Sequence, residues 1–472
     1  METAEESQRG PAAALDRREP LLGLVLVWSA AEDHRIGEVL LVPPGATRIF
    51  GRGHAGGGPN AARLIRQRPG SNLAMPPLED RFLSRRHLSI RSDGDALHIA
   101  SIGRRPLILR PSRVEHVDEV RLRVGEQIEI KDTLLFLCVR RTAEMPLMKY
   151  GAIDPCHAFG APDRHGIVGE SPAAWKLREA LAFAAPKRAH VLLTGPSGTG
   201  KELLARALHA LSPRARRSFV ARNAATLPSG LIDAELYGNI ANYTHSGMPE
   251  RPGLVGEAEG GTLFLDEIGE LGPELQAKFL RLLDDAAEYQ RLGETRRRVA
   301  DLRLLAATNR AVADLKTDFA ARFPLRIDVP GLDQRREDIA LILRELVRRA
   351  KSEDASFESC ALGDSLVSAL TGHDFRTHVR ELSSILWDAL ADSEGSVVEL
   401  TSAVQRRIGS AARSSEDREP SIRTAAKDLT AEDVRLALAR HDGVQAKAWR
   451  DLGLPNRFAL RRLMKIHGIK VG

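Results

Sequence analysis

Cysteine is scarce in this chain of 472 residues: Cys138, Cys156 and Cys360 are far apart and form no CxxC pair. Their scarcity excludes a disulfide framework and a cysteine-built zinc site, and it fits a reducing compartment. Long apolar runs are missing as well. The longest, LLGLVLVW from Leu21 to Trp28, is strand-sized and far short of the ~20 residues that cross a bilayer. The first residues, METAEESQRG, lack the basic patch and apolar stretch of an export signal. There is no internal repeat. A cytoplasmic protein without a membrane partner is the expectation.

What is present points to several folded domains. At about 150 residues per domain the length suggests roughly three. Hydrophobic residues make up 43% and charged residues 28%, too apolar a mixture for a wholly disordered chain. The net charge is +6, and its placement is uneven. Residues 431–472 hold nine Lys or Arg against four Asp or Glu. A small basic module of that kind attracts a phosphate backbone.

Patterning divides the chain further. After a polar tail (1–20), residues 21–142 read as short strands such as EVLLV, TRIF, HLSIRS, ALHIAS and EQIEI, separated by Gly, Pro, Asp and Arg. This predicts an all-β sandwich or barrel. Residues 143–164 read as a linker. Between 165 and 331 apolar strands alternate with helices, the mark of an α/β parallel sheet. Residues 332–409 lack strand runs and read as a helical subdomain. A second linker, 410–427, precedes three short helices over 428–472, a small all-α end.

The chemistry gathers in the α/β part. GPSGTGKE follows the strand VLLT and opens a helix: Gly195, Pro196, Ser197, Gly198, Thr199, Gly200, Lys201 and Glu202. Glycines let backbone N–H groups close around phosphates at a helix start, and the lysine reaches the β and γ oxygens. Downstream, GGTLFLDE ends a buried-type strand in paired carboxylates. There Asp266 is placed to hold Mg²⁺, and Glu267 to polarise an attacking water. ATP and Mg²⁺ are the expected ligands. Glu202 stands where the general phosphate-loop pattern has Ser or Thr, so the metal lacks a hydroxyl ligand there.

The ordered run GPSGTGKE, FVARNAA, ELYG, RPGL, GGTLFLDEIGEL, LLAATN, RREDI and VREL closely resembles the AAA+ domain of bacterial enhancer-binding proteins, the activators of sigma-54 RNA polymerase. The resemblance covers about residues 165–409. It implies a homo-oligomeric ring ATPase with nucleotide sites between subunits and a helical lid. By the same resemblance Asn223 is the polar switch that restrains Glu267. Thr308 and Asn309 form the γ-phosphate sensor, and Arg380 is the lid arginine that touches nucleotide. Arg322 matches the second of two intersubunit arginine fingers, and the first falls on Lys316, which keeps the charge but loses the planar fork. The loop that grips sigma-54 in the family, Gly-Ala-Phe-Thr-Gly-Ala, is absent here. A one-residue shift of alignment sets Tyr243 and Thr244 on its Phe-Thr pair.

The flanking parts carry further resemblances. Gly51 and Arg52, followed by Ser84, Arg85, Arg86 and His87, resemble a forkhead-associated (FHA) domain. That implies phosphothreonine contacts from Arg52, Ser84 and Arg85, with His87 holding the loop, and a phosphorylated protein as partner. The family's later Asn-Gly pair is not evident around Ser101–Leu107. The last 45 residues resemble a Fis-type helix-turn-helix. This implies DNA contacts from Asn456, Arg457, Arg461, Arg462 and Lys465. Together these features predict a multidomain regulator: an FHA-like sandwich, an AAA+ α/β ATPase with lid, and a helix-turn-helix. It would sense phosphothreonine and act on sigma-54 polymerase at DNA. Two alternatives stand beside that reading: an ATP- and DNA-binding regulator that leaves sigma-54 alone, and a phosphopeptide-binding scaffold.

Overall fold

A continuous apolar run forms a strand that needs cover on both faces, and LLGLVLVW meets that need at the start of the chain. The computed structural model describes residues 19–52, 60–110, 114–151, 157–227, 231–243, 245–284, 287–393, 395–416 and 431–440, with 452, 464 and 469. Two compact units contain them, Met1–Val404 and Gln405–Gly472.

The strands of the amino-terminal region are β1 (Pro20–Ser29), β2 (Val39–Val42), β3 (Thr47–Phe50), β4 (Ile65–Arg68), β5 (Ser71–Ala74), β6 (Leu88–Ser92), β7 (Leu97–Ser101), β8 (Leu107–Arg110), β9 (Val114–Val117), β10 (Glu119–Leu122), β11 (Gln127–Ile130) and β12 (Leu134–Thr142). They build two antiparallel sheets, ordered β5-β4-β2-β1-β12-β11-β8-β9 and β10-β7-β6-β3. Leu24, Leu26, Phe50, Ile90, Ile99 and Phe136 fill the space between them. Strands β4, β5 and β9 go beyond the sequence expectation. β4 (IRQR) is charged and β5 is exposed throughout, so neither presents the apolar alternation that announces a strand.

The α/β part follows with α1 (Pro172–Ala184), β13 (Val191–Thr194), α2 (Lys201–Ala210), β14 (Phe219–Asn223), α3 (Ile232–Tyr237), α4 (Gly253–Glu257), β15 (Thr262–Asp266) and α5 (Pro273–Leu283). A short pair, β16 (Glu288–Tyr289) and β17 (Arg298–Val299), leads to β18 (Arg303–Thr308), α6 (Thr317–Ala321) and β19 (Leu325–Asp328). The parallel sheet runs β14-β15-β18-β13-β19. Its strand register brings Thr194, Asp266 and Thr308 to one edge, the carboxyl end where ligands bind in open α/β sheets.

The lid comprises α7 (Ile339–Glu353), α8 (Asp364–Gly372), α9 (His378–Asp392) and the first turn of α10 (Ser402–Glu416). Two details correct the sequence expectation. A short parallel pair, β20 (Ala361–Leu362) with β21 (Val397–Val398), lies among the helices. Helix α10 also runs past residue 409, because no proline interrupts it before Pro420. In the second unit α11 (Ala431–Arg440) buries Val434, Ala437 and Leu438. Among the described residues no helix is long and apolar enough to cross a membrane.

The sandwich and the ATPase are parts of one unit. Leu22, Leu24 and Leu26 of β1 face the sandwich core. Val25 and Val27, with Leu135 and Leu137 of β12, are as fully buried on the opposite face, beneath α7 and α8. Each such side chain contributes roughly 1.5–3 kcal/mol when taken out of water. Polar bonds fix the register of this contact: Trp28 Nε1 donates to Leu362 O (2.7 Å), and Gln127 Nε2 to Ser368 O (3.1 Å). Arg110 bridges Glu129 and Asp364, and Arg141 donates to Glu337 at 3.0 Å. Residues 143–164, expected as a linker, are irregular, and several of them are bonded to the folded parts. Gln67 donates to Thr142 O and Ala143 O, and Arg68 to His157 O. Asp163 is buried against Arg178.

Glu170 closes this seam. Its carboxylate accepts from both ends of the Arg68 guanidinium, from the Gly160 N–H and from Trp175 Nε1. Burial works to raise its pKa, but the His157 ring 3.7 Å away and the bonds from Arg68 and Gly160 prevail and hold it at about 2. The stability this carboxylate confers is therefore complete above its ordinary value of 4.5 and disappears as pH falls toward 2. Glu170→Gln is expected to remove about 3 kcal/mol of the stability lost over that interval. Urea unfolding followed by Trp175 fluorescence at pH 5 and pH 2.5 measures it; equal losses in both proteins would refute it.

Candidate functional site

At the end of β13 the chain must turn sharply, pass close to its neighbours and start a helix. Gly195, Gly198 and Gly200 all have positive φ, at 146°, 77° and 97°. A side chain at Gly195 would sit 2.5 Å from Val329 O, and one at Gly198 would strike Thr377 O. Glycine is the residue that meets both demands. Gly200 caps α2, so the loop amides gather at a helix amino terminus, where anions are stabilised. The Gly195 N–H is tied to Thr308 O, and Thr199 Oγ1 donates to Pro196 O at 2.9 Å.

Lys201 is the first residue of α2 and is nearly buried. Its ammonium donates to Gly195 O and Pro196 O, both at 2.9 Å. Burial lowers its pKa, opposed by the charges of Asp266 and Glu267. Facing it at the end of β15, Asp266 has a raised pKa because burial outweighs the Glu267 N–H bond and the Lys201 charge. Glu267 takes a left-handed conformation (φ 57°), which turns its side chain to Asn223. Asn223 Nδ2 donates to Glu267 Oε2 at 2.9 Å, while its Oδ1 accepts from the Ala225 N–H.

A cavity of about 360 Å³ joins these groups. Ser197, Gly198, Gly200, Lys201, Glu202, Asp266, Glu267 and Asn309 line it from the α/β part, and Leu346, Val379, Arg380 and Ser383 from the lid. The lid is latched to the loop: the Val379 N–H donates to Gly198 O (3.0 Å) and Arg380 Nη1 to Ser197 Oγ (3.3 Å). Glu202 also pairs with Arg206 at 2.8 Å, so it brings a carboxylate and no hydroxyl to the rim. Leu346 had no signal in the sequence. Val379 opens the VREL motif and Ser383 follows it, so both could have been inferred from it. A cradle of amides, one lysine and two carboxylates suits a nucleoside triphosphate, with phosphates on the loop and a water held by Glu267.

Other predicted residues lie elsewhere. Arg322 ends α6, exposed, 2.7 Å from Asp284, and Lys316 is exposed before the same helix. Neither lines the cavity of its own chain. Tyr243 belongs to a tight hairpin closed by reciprocal bonds between Asn239 and Arg251. Left-handed Asn242 holds the Gly247 N–H there, and the Tyr243 ring packs on Gly293. Thr244 and the expected DNA-contact residues Asn456, Arg457, Arg461, Arg462 and Lys465 fall outside the described residues.

At one end of the sandwich Arg52, Ser84 and Arg85 come together. The Arg52 N–H donates to Ser84 O, and a side chain at Gly51 would meet Ser84 O and Arg85 O at 2.6 Å. His87 is buried and its pKa is lowered by that burial. Its neutral ring accepts the Ser84 N–H at Nδ1, which leaves Nε2–H for Arg105 O at 3.2 Å. Sequence reasoning passed over Arg104, whose N–H donates to Ser84 Oγ. The signal was the run SIGRRPL, read only for a missing Asn-Gly pair.

Residues 167–329 match the model of the family described as the Sigma-54 interaction domain. The Nif-specific regulatory protein of Bradyrhizobium diazoefficiens is 41% identical over 229 residues, covering 47% of this chain and 39% of that protein. The transcriptional regulatory protein ZraR of Salmonella typhimurium is 34% identical over 310 residues, 64% of this chain and 68% of that one. Among solved structures, NtrX from Brucella abortus in complex with ADP is 28% identical with a TM-score of 0.46, over 65% of this chain and 70% of that one. The chain thus spans about two-fifths of the Nif-specific relative's length.

The latch between loop and lid depends on the absence of a side chain at residue 198. Gly198→Ala is expected to push Thr377 and Arg380 away from the loop and weaken binding of a fluorescent ATP analogue by about tenfold or more. Titration of both proteins tests this, and equal affinities would show that the latch does not shape the cavity.

Proposed function

The chain belongs to the family of transcriptional regulators that carry a sigma-54 interaction domain, and from that premise we propose that it is an ATP-hydrolysing regulator of transcription acting through sigma-54 polymerase. The observation that carries the reading is the 2.9 Å bond from Asn223 to Glu267 at the rim of the phosphate-loop cavity. It holds the one carboxylate positioned to activate water in a defined, restrained orientation.

In this reading the loop amides and Lys201 bind the phosphates, and Arg380 closes over them from the lid. Asp266 holds Mg²⁺, which neutralises phosphate charge when bound, and a single carboxylate with waters suffices for that ion. Glu267 orients the attacking water once Asn223 lets it go. Asn309 reads the γ-phosphate. Arg322 and Lys316, exposed and outside their own cavity, reach the cavity of a neighbouring copy in a homo-oligomeric ring. Turnover drives the Tyr243 hairpin against sigma-54. A second reading, a regulator with another target, is favoured by the loss of the Gly-Ala-Phe-Thr-Gly-Ala run from that hairpin.

The flanking parts complete the proposal. Arg52, Ser84 and Arg85, with the neighbouring Arg104, form a cationic, hydroxyl-bearing end suited to phosphothreonine in a partner protein. The basic carboxyl-terminal residues act as a helix-turn-helix on DNA. Arg52→Ala should weaken phosphothreonine-peptide binding roughly 10- to 100-fold; if the intact protein binds no such peptide by calorimetry, the sandwich has no such role.

Glu267→Gln is expected to retain ATP affinity while hydrolysis falls by about 100-fold or more. Unchanged turnover would remove Glu267 from the reaction. With ADP–aluminium fluoride, the intact protein is expected to capture sigma-54. Analogue binding without capture would select the second reading.

A further inference from the structure

The first unit contains a second cavity, of about 590 Å³, at the junction of the sandwich, residues 160–162 and the lid. Its volume lies within the ~300–1,000 Å³ of small-molecule sites, and its lining is largely apolar, as theirs are. One wall is the end of β1 and the turn after it, with Val27, Trp28 and Ile36. The opposite wall is a single face of α7: Ala340, Arg344, Val347, Arg348 and Lys351 recur at helical spacing. Elsewhere along this seam the sandwich and the lid are in contact, but here their walls stand apart.

The polar groups at its rim are predominantly cationic. Glu345 is already engaged by Arg348 and Arg349. Arg344 donates to two backbone carbonyls, Asp33 O (2.7 Å) and Gly160 O (2.9 Å), and forms no ion pair among the described residues. Lys351 has no ion pair among the described residues. Asp33 is the other carboxylate of the lining, and it is exposed. Trp28 is half-buried, and its N–H is satisfied by Leu362 O, so its ring offers an apolar face with no polar cost. Two other cavities among the described residues differ from this one. The nucleotide cavity gathers charges of both signs, Lys201 and Arg380 with Glu202, Asp266 and Glu267, and the one beside Arg66 and Arg68 has both guanidiniums paired, with Glu38 and Glu170.

We propose that this junction cavity binds a small amphipathic acid, with its apolar body between Trp28 and α7 and its carboxylate at Lys351 and Arg344. The bound acid bridges the sandwich and the lid. The proposal is independent of ATP turnover, of sigma-54 and of phosphothreonine.

The test is a fluorescence titration of the full-length protein with 1-anilinonaphthalene-8-sulfonate, an aromatic anion, followed by displacement with decanoate. The expected result is saturable binding of one probe per chain, displaced by decanoate. Ala161→Trp, which fills the cavity from residues 160–162, should abolish it. Lys351→Glu should weaken it about tenfold, the effect of one lost ionic contact. Both variants must bind the fluorescent ATP analogue like the parent, which shows that unit 1 is folded; if one does not, Ala161→Leu or Lys351→Gln takes its place. Three results would overturn the proposal: no saturable binding to the parent, a probe that decanoate does not displace, or variants that bind it as the parent does.

Discussion

The carboxylate of Asp338 is the point on which the geometry of the first unit depends. It lies between the α/β part and the lid, buried, at the start of α7. Its Oδ1 accepts from the Glu170 and Ser171 N–H groups at 2.8 and 3.0 Å, and its Oδ2 from the Ser171 hydroxyl at 2.5 Å. Ser171 in turn caps α1 through the Ala174 N–H. Gly169 has to be glycine, since a Cβ there would press on Asp338 Oδ2 at 2.6 Å. A buried charge that satisfies several donors orients them more strictly than an apolar contact does, because losing any one leaves a costly vacancy.

From this point the constraint spreads in two directions. Glu337, one residue earlier, reaches Arg141 of the sandwich, so the hinge that sets the lid also sets the sensor-like sheets. Seven and six residues before Asp338, Gly331 and Leu332 pack against His378, whose Nδ1 accepts the Leu332 N–H at 3.1 Å. The residues after His378 are those that touch the phosphate loop, Val379 and Arg380. The nucleotide cavity, the hinge and the sandwich are therefore joined by three short links, each a hydrogen bond or an ion pair. A change at one can reach the others without long-range deformation.

Much of the candidate site is legible along the chain because its chemistry is local. The phosphate loop, the Asp266–Glu267 pair and the Thr308–Asn309 sensor each sit at the end of one strand, and a parallel sheet lines up such ends. Asn223 was reached through resemblance, and the bond to Glu267 supplies its physical reason. The seams were hidden, since they join residues distant in sequence: Arg68 with Glu170, Arg110 with Asp364, Arg141 with Glu337. No pattern of neighbours announces such pairs. Strands β4 and β5 were hidden for a related reason. Arg66 and Arg68 of β4 point to Glu38 and Glu170 and mask the alternation that marks a strand, while β5 is exposed throughout and has no buried side to alternate with. The run LLGLVLVW carried a hint not taken up: apolar residues on both faces of β1 call for a second covering layer, and the lid supplies it.

That two-sided burial limits how freely this sandwich can be exchanged. In a modular architecture, domains joined by flexible linkers can be recombined without repacking, since each brings its own solvated surface. Here the sheet of β1 and β12 has no such surface on its lid side. A sandwich transplanted onto another ATPase would present Val25, Val27, Leu135 and Leu137 to water as an adhesive patch. The same ATPase fitted with a different amino-terminal domain would leave α7 and α8 uncovered. The two halves are therefore expected to diverge as a pair, with substitutions on one side of the seam matched by substitutions on the other.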